Sequence, residues 1–247
     1  MVICWNKKSS IRRKGDNKMG KRTYQYLLFD LDNTLFDFNK AECQAFQKVC
    51  EKYEIAYGRE LFEFYHQVND ALWKSLERGE INQKELQSKR FEEVCSYVGK
   101  QQVCYEKMNA DYRLFLSQCS EMIPGALEVC QKLAHSFSIY LVTNGVSKTQ
   151  RNRLKGSKLM DYVSDVFISE EIGFHKPQKE FFEYVLSHIG SEKSEALVIG
   201  DSITSDILGG KQAGIPTCLY DPTGKGHPKD IVPDFTICDL SELLDIL

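Results

Sequence analysis

Apolar positions along the chain follow two different periods, and the change between them divides the sequence. Tyr26-Leu27-Leu28-Phe29 is a short unbroken apolar run, the pattern of a strand buried on both faces, as in a parallel sheet. It stops at Asp30-Leu31-Asp32-Asn33-Thr34, two aspartates one residue apart followed by turn-forming residues. From about Asn39 to Ser120 apolar residues recur instead at helical spacing. Ala45, Phe46, Val49, Cys50 and Tyr53 make one stripe, and Leu61, Phe64, Tyr65, Val68, Leu72 and Leu76 a second. Leu86, Phe91, Val94, Cys95 and Val98 make a third, and Val103, Tyr112, Phe115 and Leu116 suggest a fourth. Gly58, Gly79 and Gly99 mark turns between them. This stretch reads as three or four packed helices inserted just past the first strand. Its aromatic stripes are core positions, and Trp73 has a second reading in which it faces a ligand.

From Pro124 onward helix and strand patterns alternate. Pro124-Gly125 opens a helix through Leu127, Val129, Cys130 and Leu133, and Ser138 to Val142 is a second buried strand ending in Thr143-Asn144-Gly145. Asp165 to Ser169 is a third. Lys176-Pro177 reads as the start of a helix carrying Phe181, Phe182, Val185, Leu186 and Ile189 on one face, stopped by Gly190. Ala196 to Gly200 is a fourth strand, ending in Asp201; Pro216 to Tyr220 is a fifth, Phe235 to Cys238 a sixth, and Leu240 to Leu247 a closing amphipathic helix. Strands alternating with helices imply right-handed crossovers and a parallel sheet. The expected fold is α/β, a Rossmann-like parallel sheet formed by 22–38 and 121–247, with 39–120 as the helical insert and 1–21 as a tail.

Bulk composition narrows the class. The 247 residues are 42% hydrophobic and 27% charged, ordinary for a globular protein that needs neither metal nor disulfide to support its core. No apolar run approaches the ~20 residues that span a bilayer. Nine cysteines, scattered without a C-x-x-C pair, fit thiols kept reduced in a cytosol better than a disulfide framework or zinc site. Residues 1–25 carry eight Lys and Arg against Asp16 alone, leaving the remainder at −10 of the total −3. An acidic body argues against a nucleic-acid surface, and the basic tail reads as a disordered extension.

Three buried strands thus end in Asp30/Asp32, Thr143/Asn144 and Asp201, and Lys176 stands at the expected helix start. In a parallel sheet such ends line one edge, where residues remote in sequence meet. Carboxylates from two strands make an oxygen-rich site suited to Mg²⁺, and a hydroxyl, backbone amides and an ammonium suit a phosphate. Together these are the parts for phosphoryl transfer. A cation at a helix N-terminus opposes the helix dipole, which suits a lysine kept for an anion nearby. Asp206, taken alone, could merely cap the helix that follows.

These residues resemble the haloacid dehalogenase (HAD) superfamily of aspartate-nucleophile phosphotransferases. Its D-x-D-x-T motif matches Asp30 to Thr34, its second-motif Ser/Thr matches Thr143, its lysine Lys176, and its G-D-x-x-x-x-D motif Gly200-Asp201 to Asp206. The resemblance covers roughly Arg22 to the C-terminus. It implies Asp30 as nucleophile and Asp32 as general acid and base. It implies Mg²⁺ on the Asp30 carboxylate, the Asp32 backbone carbonyl and Asp201, with Asp206 close by or bridged through water. Thr143 and the Asn144 amide would hold phosphoryl oxygens, and Lys176 would neutralise charge. In this superfamily a helical insert after the first motif is the C1 cap, which closes over the site and selects the substrate.

Longer words, Phe29 to Phe38, Val142 to Gly145, Ile168 to Gly173 with Lys176-Pro177, and Ser205 to Gly210, resemble the bacterial house-cleaning pyrimidine nucleotidases. That similarity implies hydrolysis of pyrimidine, including noncanonical, nucleoside 5′-monophosphates. The reduced thiols and the lack of a spanning run add the expectation of a cytoplasmic protein, monomer or homodimer, that binds no membrane. The rival expectations are a sugar-phosphate or phosphoglycolate-type phosphatase, a β-phosphoglucomutase-like mutase, and a non-catalytic binding relative on the same fold.

Overall fold

The computed structural model describes residues 24–100 and 102–247; the expected tail lies outside the described residues. Among the described residues six strands form one sheet: β1 (Tyr26–Phe29), β2 (Ser138–Thr143), β3 (Asp165–Ile168), β4 (Ala196–Gly200), β5 (Thr217–Tyr220) and β6 (Phe235–Ile237). Every neighbouring pair is parallel, in the order β3-β2-β1-β4-β5-β6. Side chains alternate across the sheet, so each central strand feeds two cores. Leu27 and Phe29 join Leu141, Ile199 and Tyr220 on one face, against Val129 and Leu133 of the helix Ala126–Leu133. Leu28 points the other way, packing with Val142, Val198, Phe181 and Val185. That two-sided burial is why β1 is an unbroken apolar run rather than an alternating one.

Among the described residues ten α-helices accompany the sheet: α1 (Phe38–Lys52), α2 (Arg59–Glu77), α3 (Gln83–Tyr97), α4 (Tyr105–Leu116), α5 (Ala126–Leu133), α6 (Ser147–Lys155), α7 (Ser169–Ile172), α8 (Lys179–Ile189), α9 (Leu208–Ala213) and α10 (Leu243–Ile246). The first four form the inserted helical cap, with a core of their own around Phe46, Tyr65, Phe91 and Tyr112. Phe46 stacks on Tyr65 with centroids 4.1 Å apart. Caps set where these helices begin: the Asp37 side chain accepts from Lys40 N (3.0 Å) at α1, and Asn82 and Glu85 form a reciprocal capping box at α3.

The chain leaves the core for the cap and returns along two paired segments. Asp37 N donates to Glu121 O (3.0 Å) and Ile123 N to Leu35 O (2.9 Å). The outgoing segment begins with a tight turn in which the Leu31 carbonyl accepts from Leu35 N (2.9 Å) and Phe36 N (2.8 Å). Asn33 takes φ 59° there, a left-handed conformation that Asn tolerates better than most residues.

The structure departs from the pattern in two places. The helix expected from Lys176-Pro177 begins at Lys179, with Gln178 as its N-cap. Lys176 lies in the preceding loop, joined to Pro177 by a cis peptide. The Asn144 side chain fixes that loop: Oδ1 accepts from Lys176 N and Nδ2 donates to Lys176 O, both 2.8 Å. The expected conflict between Lys176 and a helix N-terminus therefore does not arise. Helices α6, α7 and α9 are also absent from the periodicity reading. α7 and α9 are short, and α6 buries Thr149, Gln150 and Arg153 where an amphipathic helix would show an apolar stripe.

Candidate active site

Strand order reverses at β1: β2 and β3 build outward on one side, and β4 is then laid on its other flank. A crevice opens beyond the carboxyl ends of β1 and β4, because the crossovers on either side leave in opposite directions. Asp30 follows β1 and Asp201 follows β4, so this reversal brings them together.

Asp30 is buried, at 8% exposure. Lys176, at 1% exposure, reaches it from the loop before α8. Its Nζ donates to Asp30 Oδ1 (2.6 Å), Asp206 Oδ1 (2.6 Å) and the Val142 carbonyl (2.8 Å), using all three donors of an ammonium. The second oxygen of Asp206 accepts from Ser202 N (3.1 Å). Asp206 does not cap the helix that follows: it lies within the helical turn Ile203–Ile207, whose N-cap is Ser202, with a side chain accepting from Ser205 N (3.1 Å), and α9 begins beyond it with no side-chain cap. A Cβ on Gly200 would lie 2.2 Å from Asp206 Oδ2, so glycine alone lets this carboxylate cross the end of β4. Thr34 fastens Asp201 by two bonds: its hydroxyl accepts from Asp201 N (3.1 Å) and donates to Oδ1 (3.3 Å). The motif threonine thus acts on a strand 167 residues away.

Asp32 lines the same cavity as Asp30, but its carboxylate is held from α6. Its Oδ2 accepts from Gln150 Nε2 (2.7 Å) and its Oδ1 from Arg153 Nη1, both from α6. Gln150 Nε2 also donates to Thr143 Oγ1 (3.0 Å), which accepts from Gly145 N as well (3.0 Å). A Cβ on Gly145 would meet the Gln150 side chain at 2.4 Å. Sequence reasoning missed Gln150 and Arg153. Their three-residue spacing puts both on one helix face, but nothing local marks them as bound to Asp32, more than a hundred residues earlier.

Burial pushes the Asp30 carboxyl well above the usual carboxylate range; Lys176 pulls it back, and Asp206, Asp201 and Asp32 push it further up. Asp201 is pushed up to about 7, first by burial and then by Asp206, against the pull of Lys176, a backbone N–H and Thr34. Burial lowers Lys176, but the two carboxylates outweigh it and hold the ammonium above its ordinary range. One ammonium among these carboxylates leaves negative charge uncompensated. Asp30, Asp201 and Asp206 each bring an oxygen within 4.8 Å of the others. That hard, all-oxygen set with spare charge fits Mg²⁺, and it forms a candidate Mg²⁺ site. The Asp32 carboxylate stands outside it.

The cap supplies the opposite wall. A cavity of about 240 Å³ runs from Asp30, Thr143, Asn144 and Lys176 to Phe38, Glu42, His66, Asn69, Trp73 and Glu77. Trp73, half-buried, therefore lines the cavity and lies outside the buried core of the cap. Glu42 is wholly buried and accepts from His66 Nδ1 (2.6 Å) and Asn69 Nδ2 (2.7 Å). Its hydrogen bond raises His66, burial lowers it, and the charges of Glu42 and Asp70 raise it against Lys74; the outcome is a histidine above its ordinary range. Thr204 Oγ1 donates to Glu77 Oε2 (2.7 Å), linking α2 to the core beside Asp206.

The chain is similar along most of its length to proteins of known sequence and structure. It is 38% identical over 231 residues to the HAD-hydrolase YfnB of Bacillus subtilis, covering 92% of this chain and 96% of YfnB. A crystal structure of YfnB bound to magnesium, which reveals interdomain movement, superposes with a TM-score of 0.87 and covers 91% of this chain and 99% of that one. The pyrimidine 5′-nucleotidases PynA of Streptococcus pneumoniae and YjjG of Escherichia coli are 35% and 33% identical, each over 91% of this chain and over 95% and 98% of their own. The haloacid dehalogenase-like hydrolase family model matches residues 27–220. With its parallel core, inserted cap and candidate three-carboxylate Mg²⁺ site, the chain belongs to the haloacid dehalogenase-like hydrolases and has the apparatus of their phosphomonoesterases.

Proposed function

We propose that this protein is a cytosolic, Mg²⁺-dependent phosphatase that hydrolyses pyrimidine nucleoside 5′-monophosphates through an aspartyl-phosphate. The observation that carries the mechanism is a buried Asp30 held 2.6 Å from Lys176 at the floor of a cavity walled by the cap. In the first step an Asp30 oxygen bonds to phosphorus while the phosphorus–O5′ bond breaks, and Asp32 gives its proton to the leaving O5′. In the second, water attacks phosphorus, Asp32 takes the water proton, and the Asp30–phosphorus bond breaks to release phosphate. Lys176 offsets charge on Asp30 and the phosphoryl group, and the Thr143 hydroxyl with the Asn144 amide holds phosphoryl oxygens. Asp30, the Asp32 carbonyl and Asp201 would hold Mg²⁺, with Asp206 beside it, and the ion would offset repulsion between two anions.

Substrate class rests on the similarity to PynA and YjjG, supported by the cavity wall. Phe38 and Trp73 offer flat apolar surface, while His66 and Asn69 lie beside it as polar groups, a combination suited to a heterocyclic base. We place the core at 22–38 and 121–247 and the cap at 39–120, hinged at the paired segments around Phe36 and Met122. The eight described cysteines are all free, in keeping with a reducing compartment. No helix among the described residues is long and apolar enough to cross a membrane.

The test is phosphate release with Mg²⁺ from dUMP, dTMP, 5-substituted pyrimidine monophosphates, purine monophosphates and sugar phosphates, with Asp30→Asn as the blank. Pyrimidine monophosphates should be turned over best, and Asp30→Asn should be silent. Faster turnover of a sugar phosphate would keep the mechanism and refute the nucleotidase reading. Silence across the panel would leave a binding protein on this fold.

A further inference from the structure

We propose that Arg153 and Gln150 are positioning residues that aim Asp32 at the leaving oxygen and tie its orientation to the two segments on which the cap is hinged. The proposal rests on the reading of Asp32 as the acid of the first step.

Both Asp32 oxygens are taken by α6 side chains, Oδ1 by Arg153 Nη1 and Oδ2 by Gln150 Nε2 at 2.7 Å. A carboxylate held through two oxygens by two separate donors has its plane fixed, and rotation about its side-chain bonds breaks at least one charge-assisted contact. The donors themselves are buried: Arg153 and Gln150 are each 1% exposed, whereas the Asp32 side chain is 28% exposed. Arg153 Nη1 also donates to Gln150 Oε1 (3.0 Å), so the two donors are locked to each other. Gln150 is bound in turn to Thr143, on the proposed phosphate cradle.

Arg153 also touches both hinge segments. Its Nε donates to Cys119 O (2.9 Å) on the returning segment, and its guanidinium lies 4.7 Å from the Phe36 ring on the outgoing one. Phe38, the first residue of α1, lies 6.0 Å from the same group. A displacement of either segment therefore acts on the guanidinium that holds Asp32. The contacts of Arg153 are poorly explained by stability alone. Its Nη2 is buried with no hydrogen-bond partner among the described residues, a cost that an apolar side chain of similar volume would not carry. Orientation of a reacting group is a reason for a protein to keep such an arginine.

The experiment compares two leaving groups. A nucleoside alkoxide needs a proton as the phosphorus–oxygen bond breaks, whereas p-nitrophenolate leaves without one. Each is followed by kcat/KM, which reports formation of the aspartyl-phosphate and is blind to its later hydrolysis. The variants are Arg153→Met, Gln150→Leu, Asp32→Asn and each α6 change combined with Asp32→Asn. Asp32→Asn and Arg153→Met should each lower kcat/KM for dUMP by about 100-fold and for p-nitrophenyl phosphate by less than about 10-fold. Gln150→Leu should show the same selectivity at smaller size, and it carries the test if Arg153→Met does not fold. The double variants should be close to Asp32→Asn alone, because residues acting as a unit are non-additive. Equal losses on both substrates, or losses that multiply in the doubles, would reduce Arg153 and Gln150 to scaffolding and overturn the proposal while leaving Asp32 as the acid. Asp32→Asn with wild-type kcat/KM for dUMP would remove the acid itself, and the proposal with it.

Discussion

Replacing Lys176 by Met keeps the length of the side chain and removes its charge, so its consequences can be worked out from three contacts. The ammonium serves Asp30, Asp206 and the Val142 carbonyl. Met leaves all three acceptors without that donor, two of them carboxylates facing each other in a buried site. Breaking a buried ion pair by removing one partner costs about 3–5 kcal/mol. The two pairs share one charge, so the loss is not doubled. For a chain of this size, that cost corresponds to a fall in Tm of about 6–20 °C. The deficit should depend on pH. Asp30 already sits above the ordinary carboxylate range despite the pull of Lys176, and without Lys176 it moves higher. A carboxyl with a folded pKa above its unfolded one favours folding when protonated; that contribution is present at acid pH and lost as pH rises through the folded value. The variant should therefore approach wild type on acidification and fall furthest below it at pH 7–8. Mg²⁺ should restore part of the gap, since an ion bound only by the folded state stabilises it. Circular-dichroism melts in EDTA and in Mg²⁺, from pH 5 to 8, measure all of this. A Lys176→Met protein melting within about 2 °C of wild type at pH 8 in EDTA would refute the reasoning, because even 1 kcal/mol should move Tm by about that much. Turnover should also fall, by about 10²–10³-fold, the usual loss on removing one preorganised donor.

Further expectations follow from single contacts. Gly200→Ala places a methyl 2.2 Å from Asp206 Oδ2, which is held by Ser202 N on a carboxylate whose other oxygen is held by Lys176; overpacking of about 1–3 kcal/mol should appear in denaturant unfolding, with weaker Mg²⁺ binding by calorimetry. His66 is raised by its bond to Glu42, so the pair's contribution to stability is complete below the unfolded histidine value and is lost as pH rises past the folded one. A wild-type protein should lose stability between pH 6 and 8 by an amount absent from His66→Gln; equal slopes would exclude the pair as the cause. Phe46→Ala empties the stacked centre of the cap and should cost about 3–5 kcal/mol in urea unfolding, and a loss below 1 kcal/mol would show that the cap core collapses around the gap.

How much was legible in the sequence depended on whether a residue's role was local. β1, β2 and β4 were plain, because a strand buried on both faces must be apolar throughout and its run must stop where the chain turns into solvent. Asp30, Thr143 and Asp201 were readable for the same reason, as polar residues placed directly after such runs. The four cap helices were readable because each spends an apolar stripe on a core of its own. Lys176 was readable as a residue but not in its setting: Pro177 suggested a helix start, and only the Asn144 side chain, brought alongside by the sheet, holds it in a loop instead.

Tertiary structure alone decided the rest. Strand order is set by which crossovers pack, and the reversal at β1 turns two remote aspartates into one candidate metal site. Helix α6 carries little apolar signal because most of the side chains it buries are polar, Gln150 and Arg153 meeting Asp32, Thr143 and the Cys119 carbonyl, and burial satisfied by a distant polar partner has no period to detect. Trp73 lies on a helix whose stripe predicts core positions; only the docking of the cap over the strand ends placed it on the cavity wall. The sequence by itself determined the kinds of chemical group at the strand ends. The fold determined which of them face each other, because long-range polar contacts leave no mark on local spacing.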